Sequence, residues 1–108
     1  MTETRDEGLV RFDPDEVYEL WPVIPARLLE GLGRYFNQHI ATGGFLKACL
    51  ENNLTRAVLS ADPESLAALP AIIAALNNEA PAEAWGTPMR VARWLELGKV
   101  FGPAGKLP

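Results

Sequence analysis

Apolar residues recur along this chain at three- and four-residue spacing, and no stretch alternates apolar with polar long enough to make a half-buried strand. The hairpin dipeptides Asn-Gly and Asp-Gly are absent as well. The pattern predicts an all-α fold, a single small domain of four to six short helices around one core. A first helix starts within residues 13–21, with Asp13 as N-cap and Pro14 at the first helical position, where its missing N–H removes no bond. Pro22 and Pro25 end it and permit a second start. From Pro25 onward Leu28, Leu29, Leu32, Tyr35, Phe36 and Ile40 mark one helix face, while Glu30, Arg34, Asn37 and Gln38 fall on the other. Gly31 and Gly33 in that helix each cost about 1 kcal/mol relative to alanine. They are either tolerated weakness or places where another helix comes close.

The stretch "HIATGGFLKACLENN", residues 39–53, holds the only histidine and the only cysteine of the chain, on either side of a double glycine. Helical periodicity fades at His39, Thr42 is the candidate N-cap of the next helix, and Gly43 and Gly44 make the turn. Phe45, Leu46, Cys49 and Leu50 then share a face, which makes Cys49 a small buried hydrophobe. Asn52 and Asn53 read as a stop and a restart before "LTRAVLSA", with Leu54, Ala57 and Val58 facing inward. A single helix over residues 43–61 fits the pattern nearly as well.

Asp62 and Pro63 repeat the cap-then-proline signal, and Glu64 complements the helix dipole. Leu66, Leu69, Ile73 and Leu76 follow as a core stripe, with Pro70 expected to kink or interrupt the helix. The last helix has Thr87 as cap, Pro88 as first residue and Gly98 as stop, with Val91, Trp94 and Leu95 inward and Arg90 and Arg93 outward. The expected core is therefore Leu28, Leu32, Phe36, Leu46, Leu50, Val58, Leu69, Ile73, Leu76, Val91 and Trp94. Trp85, just before the last cap, folds back on that helix in a staple-like contact. The expected organisation is an acidic entry segment over residues 1–12, a helical domain over residues 13–98 and an irregular tail over residues 99–108.

With 48% hydrophobic and 22% charged residues the composition is that of an ordinary globular chain. A lone cysteine cannot close an intrachain disulfide. The first residues lack the basic-then-apolar order of a signal peptide, and the longest apolar run, residues 66–76, is about half of what a spanning helix needs. These features make a cytoplasmic protein, with no membrane association, the expectation. The net charge of −4 is uneven: residues 1–19 hold seven acids and two arginines, whereas residues 81–108 carry a net +2. Such a balance does not make a phosphate-tracking surface, so nucleic acid is not the expected partner.

Each chemical motif fails on its own requirements. One His, one Cys and scattered carboxylates give no metal-ligand spacing, and no cofactor is expected. The glycine pairs lack the preceding strand or the following lysine and hydroxyl of a phosphate-binding loop. His39 and Cys49 are close enough across a helical hairpin to act as base and nucleophile in a small enzyme or ligand-binding protein, but a core-facing thiol is not activated. Residues 43–61 also have the outline of a helix-turn-helix, whose second helix offers only Thr55, Arg56 and Ser60 to base edges.

Phe45-Leu46, "LENNL", "AD", "ALPAI" and "APAEAWGTP", in this order, resemble segments of small uncharacterised helical proteins encoded in tailed-phage and prophage genomes. The resemblance covers roughly residues 35–95 and lies in helix punctuation. It implies a small accessory protein acting on a host component, and it carries over no catalytic or binding residue. The expected function is a non-enzymatic protein that binds another protein or its own copy. Candidate contact residues are Trp21 with Asp13, Asp15 and Glu16 at the acidic entry, and Arg90 and Arg93 on the last helix.

Overall fold

The computed structural model describes residues 12–101, and these form six α-helices and one 3₁₀ turn with no strand among the described residues. In chain order the helices are α1 (Pro14–Leu20), α2 (Ala26–Gln38), α3 (Gly44–Leu50), α4 (Leu54–Ser60), α5 (Pro63–Glu79) and α6 (Pro88–Phe101), with the 3₁₀ turn at Ala82–Ala84. The acidic stretch of residues 1–11 and the last residues, 102–108, lie outside the described residues.

The helix starts follow from local chemistry. The Asp13 carboxylate accepts from the N–H groups of Asp15 and Glu16, and Pro14 occupies the first turn. Asp62 accepts from Ser65 N–H at 2.7 Å, ahead of Pro63. Thr87 caps α6 through Arg90 N–H at 3.1 Å. Residues 43–61 form two helices: Asn52 takes the left-handed φ of 62° that ends α3, and the Asn53 side chain caps α4 through Arg56 N–H. Thr42 is not a cap. The helix begins one residue later than that role requires, so Gly43 stands at the N-cap with no side-chain bond, and the Thr42 hydroxyl donates to the Gly43 carbonyl.

α2 is the centre of the core. Leu28, Leu29, Leu32, Tyr35 and Phe36 are buried on it, with Phe12 and Val17 packed from the α1 side and Leu46 and Leu50 from α3. The Phe12 and Phe36 rings lie 5.0 Å apart, and Asn37 bonds both the N–H and the carbonyl of Phe12. Residue 12 thus belongs to the core and not to an entry segment. The glycines of α2 mark close approach: a β-carbon on Gly33 would sit 2.8 Å from Pro14 Cγ, and one on Gly31 would sit 3.2 Å from Leu46 Cδ1.

Four expectations are corrected, two about the core and two about helix boundaries. Ile73 and Leu66 are exposed by 36% and 44%, because the stripe that α5 buries keeps the expected Leu69 and Leu76 but runs through Ser65, Ala68, Ile72 and Ala75. α5 is apolar nearly all round, and its small residues meet the rest of the fold. Val58 and Leu54 on α4 are also exposed, by 41% and 67%, and Ala57 alone of that helix is buried. Gly98 does not stop α6, which runs on to Phe101, so the tail begins later than residue 99. A β-carbon at 98 would lie 2.7 Å from His39 Cβ, and the glycine lets the end of α2 seat against α6. Pro70 does not interrupt α5 either. The carbonyl it leaves without a donor belongs to Leu66, and both residues lie on the exposed face, where water replaces the bond.

Candidate functional site

His39 ends α2 in the left-handed conformation, φ 59°, and its N–H turns back to the Tyr35 carbonyl at 3.0 Å. Its ring faces that of Trp94, with centroids 4.5 Å apart, and Nδ1 lies 2.8 Å from the Trp94 carbonyl. A carbonyl only accepts, so Nδ1 carries the proton. The Trp94 indole N–H donates in turn to the Tyr35 carbonyl at 2.9 Å. Together these contacts latch the end of α2 to α6. The half-buried Trp94 belongs to this latch at the core's edge.

Cys49 lies in the middle of the buried face of α3, 2% exposed. Burial pushes its thiol up to about 11. A nucleophilic cysteine needs the opposite shift and access to substrate. The two residues of the candidate thiol–imidazole pair are thus each committed elsewhere, Cys49 to packing and His39 to the α2–α6 latch. Among the described residues, no three His, Cys, Asp or Glu side chains gather as a group able to hold a metal ion.

The other buried titratable group is also structural. Tyr35 donates its hydroxyl to the Ala84 carbonyl at 2.7 Å, which pins the 3₁₀ turn beneath α2. Burial, with the Glu51 charge adding to it, raises this phenol well above its ordinary range. The next residues are tied down as well: Gly86, at φ 113°, donates its N–H to the Leu50 carbonyl at 2.6 Å. Arg90 reaches back to the carbonyls of Ala82 and Trp85 at 3.1 and 3.4 Å, so its guanidinium closes this turn. Arg93 is exposed on α6. Trp21 is half-buried against the core at the end of α1, whereas Asp15 and Glu16 are exposed and Asp13 is engaged as the cap.

A second feature lies at α4. This helix buries one residue, Ala57, and turns Leu54, Val58 and Leu59 to solvent, with Leu59 exposed by 80%. At about 100° per residue, Leu54, Val58, Thr55 and Leu59 fall within one arc of about 140°, with Leu54 about 60° and Leu59 about 160° round the helix from Ala57. Arg56 is the only charged residue of the helix. Apolar side chains on a short helix read as inward, so the sequence hid this face. The usable signal was Ala57, the one alanine of the helix, small enough to lie against the fold.

Beside α4 lies an open cleft of about 420 Å3, lined among others by Arg27, Arg34, Gly43, Gly44, Ser60 and Asp62. Arg27 is held by Asp62 at 3.2 Å and Glu64 at 3.1 Å, which ties α2 to the start of α5. The Asp62 carboxyl is held below its usual range, first by the Ser65 N–H and hydroxyl and then by Arg27.

No family model matches this chain, and neither the curated proteins nor the solved structures include a match to it. No described helix is long and apolar enough to cross a membrane.

Proposed function

We propose that this chain is a non-enzymatic cytoplasmic module that binds protein, another chain or its own copy, through the outward face of α4. The observation that carries this reading is the inverted character of α4, which shows water its leucines and its valine and shows the fold an alanine. Isolated exposed leucines are ordinary, but three large apolar side chains on one seven-residue helix make a contiguous patch of the kind used in contacts. The enzyme alternative draws no support from Cys49, whose thiol is buried and raised, or from His39, whose ring is clamped to Trp94. DNA binding through α3 and α4 is disfavoured by an α4 surface that offers one arginine amid aliphatic side chains. The resemblance to small phage-encoded proteins adds a host component to the candidate partners.

Affinity capture with the wild-type chain and with Leu54→Asp tests the reading. Leu54 is exposed by 67%, so the variant keeps its fold. Proteins retained by the wild type and lost by the variant support α4 as the contact face. An identical set of bound proteins with both chains would remove α4 from the reading.

A further inference from the structure

Side chains four apart stand in line on a helix and form ridges, and α4 has three: Leu54 with Val58, Thr55 with Leu59, and Arg56 with Ser60. An open depression of about 370 Å3 lies between the second ridge and the third, lined by Asn53, Thr55, Arg56, Leu59 and Ser60. These residues all belong to α4 or cap it, so no other described element lines the groove. Its two walls differ. Leu59, 80% exposed, is the apolar wall and continues round the helix into Val58 and Leu54. Arg56 is the charged wall, exposed and the only charge of the helix. Its guanidinium has no ion-pair partner among the described residues. The acids nearest to it along the chain are taken, Glu51 by Lys47 and Asp62 by Arg27.

We infer that this groove receives a ridge of an amphipathic helix from another protein, with aliphatic side chains against Leu59 and a carboxylate against Arg56. This rests on the reading of α4 as the contact face and names the partner's chemistry. A helix fits because helices pack by seating a ridge of one in a groove of the other. Strand addition would need a sheet edge, and the described residues contain no strand. A carboxylate is the group that the unpaired cation lacks, and a charge pair beside an apolar contact fixes its register and speeds encounter. A second α4 is the poorer occupant, because it brings Arg56 against Arg56 and no acid. A groove on a helix of two turns makes a small contact, of the weak and transient class.

A displayed library of a single amphipathic helix, randomised along its apolar face and the positions flanking it, is selected on the full chain. Enriched helices should carry aliphatic residues four apart with Asp or Glu beside them. Leu59→Asp should weaken their binding by about tenfold or more, because the apolar wall is lost. Arg56→Glu should weaken it by about two- to fivefold, the range of one exposed ion pair, and exchanging the selected acid for lysine should restore it. High salt should shrink the Arg56 effect and leave the Leu59 effect in place. Both side chains are exposed, so neither variant removes a core contact. Enriched helices without an acid preference, or bound equally by Arg56→Glu, would overturn the proposal. So would tighter binders from a parallel library of linear, unstructured peptides. A wild-type chain that self-associates in sedimentation while Leu59→Asp stays monomeric would overturn it too, since the occupant is then a second copy. If capture of proteins falls with Leu54→Asp but not with Arg56→Glu, this inference falls and the reading of α4 stands. If Leu54→Asp loses nothing, both fall.

Discussion

α2 and α4 are both rich in leucine, yet one is the centre of the core and the other is nearly outside it. α2 buries Leu28, Leu29, Leu32, Tyr35 and Phe36, and α1, α3, the 3₁₀ turn and α6 are fastened to it. α4 buries Ala57 and leaves Leu54, Val58 and Leu59 in water. The difference lies in partners and not in apolar content. α2 is long enough to present two stacked faces, and its glycines bring α1 and α3 close. α4 has two turns between two caps, Asn53 and the bend into Asp62, so its orientation is fixed from its ends. The side that meets the fold is then whichever is small enough, and that is the alanine side. Burial in a short capped helix follows from its boundaries first and from its composition second.

The largest expected effect separates two adjacent residues of α5. Ile72 is fully buried, and Ile72→Ala should destabilise by about 2–5 kcal/mol in denaturant unfolding, whereas the partly exposed Ile73→Ala should cost less than about 1 kcal/mol. Equal costs would mean that the buried stripe runs through both residues, and the contrast with α4 would weaken.

Next in size come two fastenings near the C-terminal end of α2. Tyr35→Phe removes the hydroxyl from the Ala84 carbonyl and leaves that buried acceptor unpaired, a loss of about 1–3 kcal/mol. Gly98→Ala should cost about 1–3 kcal/mol through overpacking, because the added methyl meets His39 Cβ and the His39 carbonyl. Gly98→Ala also tests the sequence expectation that this glycine is a helix stop. A stabilised protein would mean that chain entropy and not close approach governs the position.

Much of this was legible in the sequence. The all-α class and the capped starts at Asp13, Asp62 and Thr87 are short-range chemistry, decided within three or four residues of where they are read, whereas over residues 43–61 the pattern fitted one helix nearly as well as the two that form. The face that α2 buries was legible too, because charged residues mark its opposite side. The burial of α4 and α5 was not. In "LAALPAIIAAL" two stripes satisfy helical spacing, and the choice between Ile72 and Ile73 is made by what packs against the helix. Gly98 was read as punctuation because its role depends on His39, 59 residues earlier. For the candidate site, the reading of Cys49 as a packed hydrophobe came from the face it shares with Leu46 and Leu50. The exposure of Leu59 was out of reach, since it depends on what the fold leaves uncovered.

Cys49 gives a prediction tied to pH. Its folded-state pKa of about 11 lies above the ordinary value of 9.0, because burial penalises the thiolate. Between those two values the unfolded chain releases the proton and the native chain keeps it. The unfolded state is then the one that binds fewer protons, so stability falls as pH rises through this window and is unaffected by this group below it. Cys49→Ala should flatten that alkaline loss while leaving a small packing defect at neutral pH. An alkaline slope unchanged by the substitution would place the titration elsewhere. In the same measurement the native thiol should react with a disulfide reagent only as fast as the chain opens.

The smallest effect is expected on α4 itself. Leu59 is 80% exposed, so truncating it removes little buried surface, and Leu59→Ser should change unfolding stability by less than about 0.5 kcal/mol. The same logic applied to Leu32, which is fully buried, gives about 2–5 kcal/mol for Leu32→Ala. A leucine in α2 and a leucine in α4 should therefore differ by several-fold in the measured cost of removal. Dilute protein is required for the comparison, because any association through α4 adds binding energy to the apparent stability. A large cost for Leu59→Ser in dilute solution would show that α4 is held to the fold by its leucines, and the contrast between the two helices would disappear.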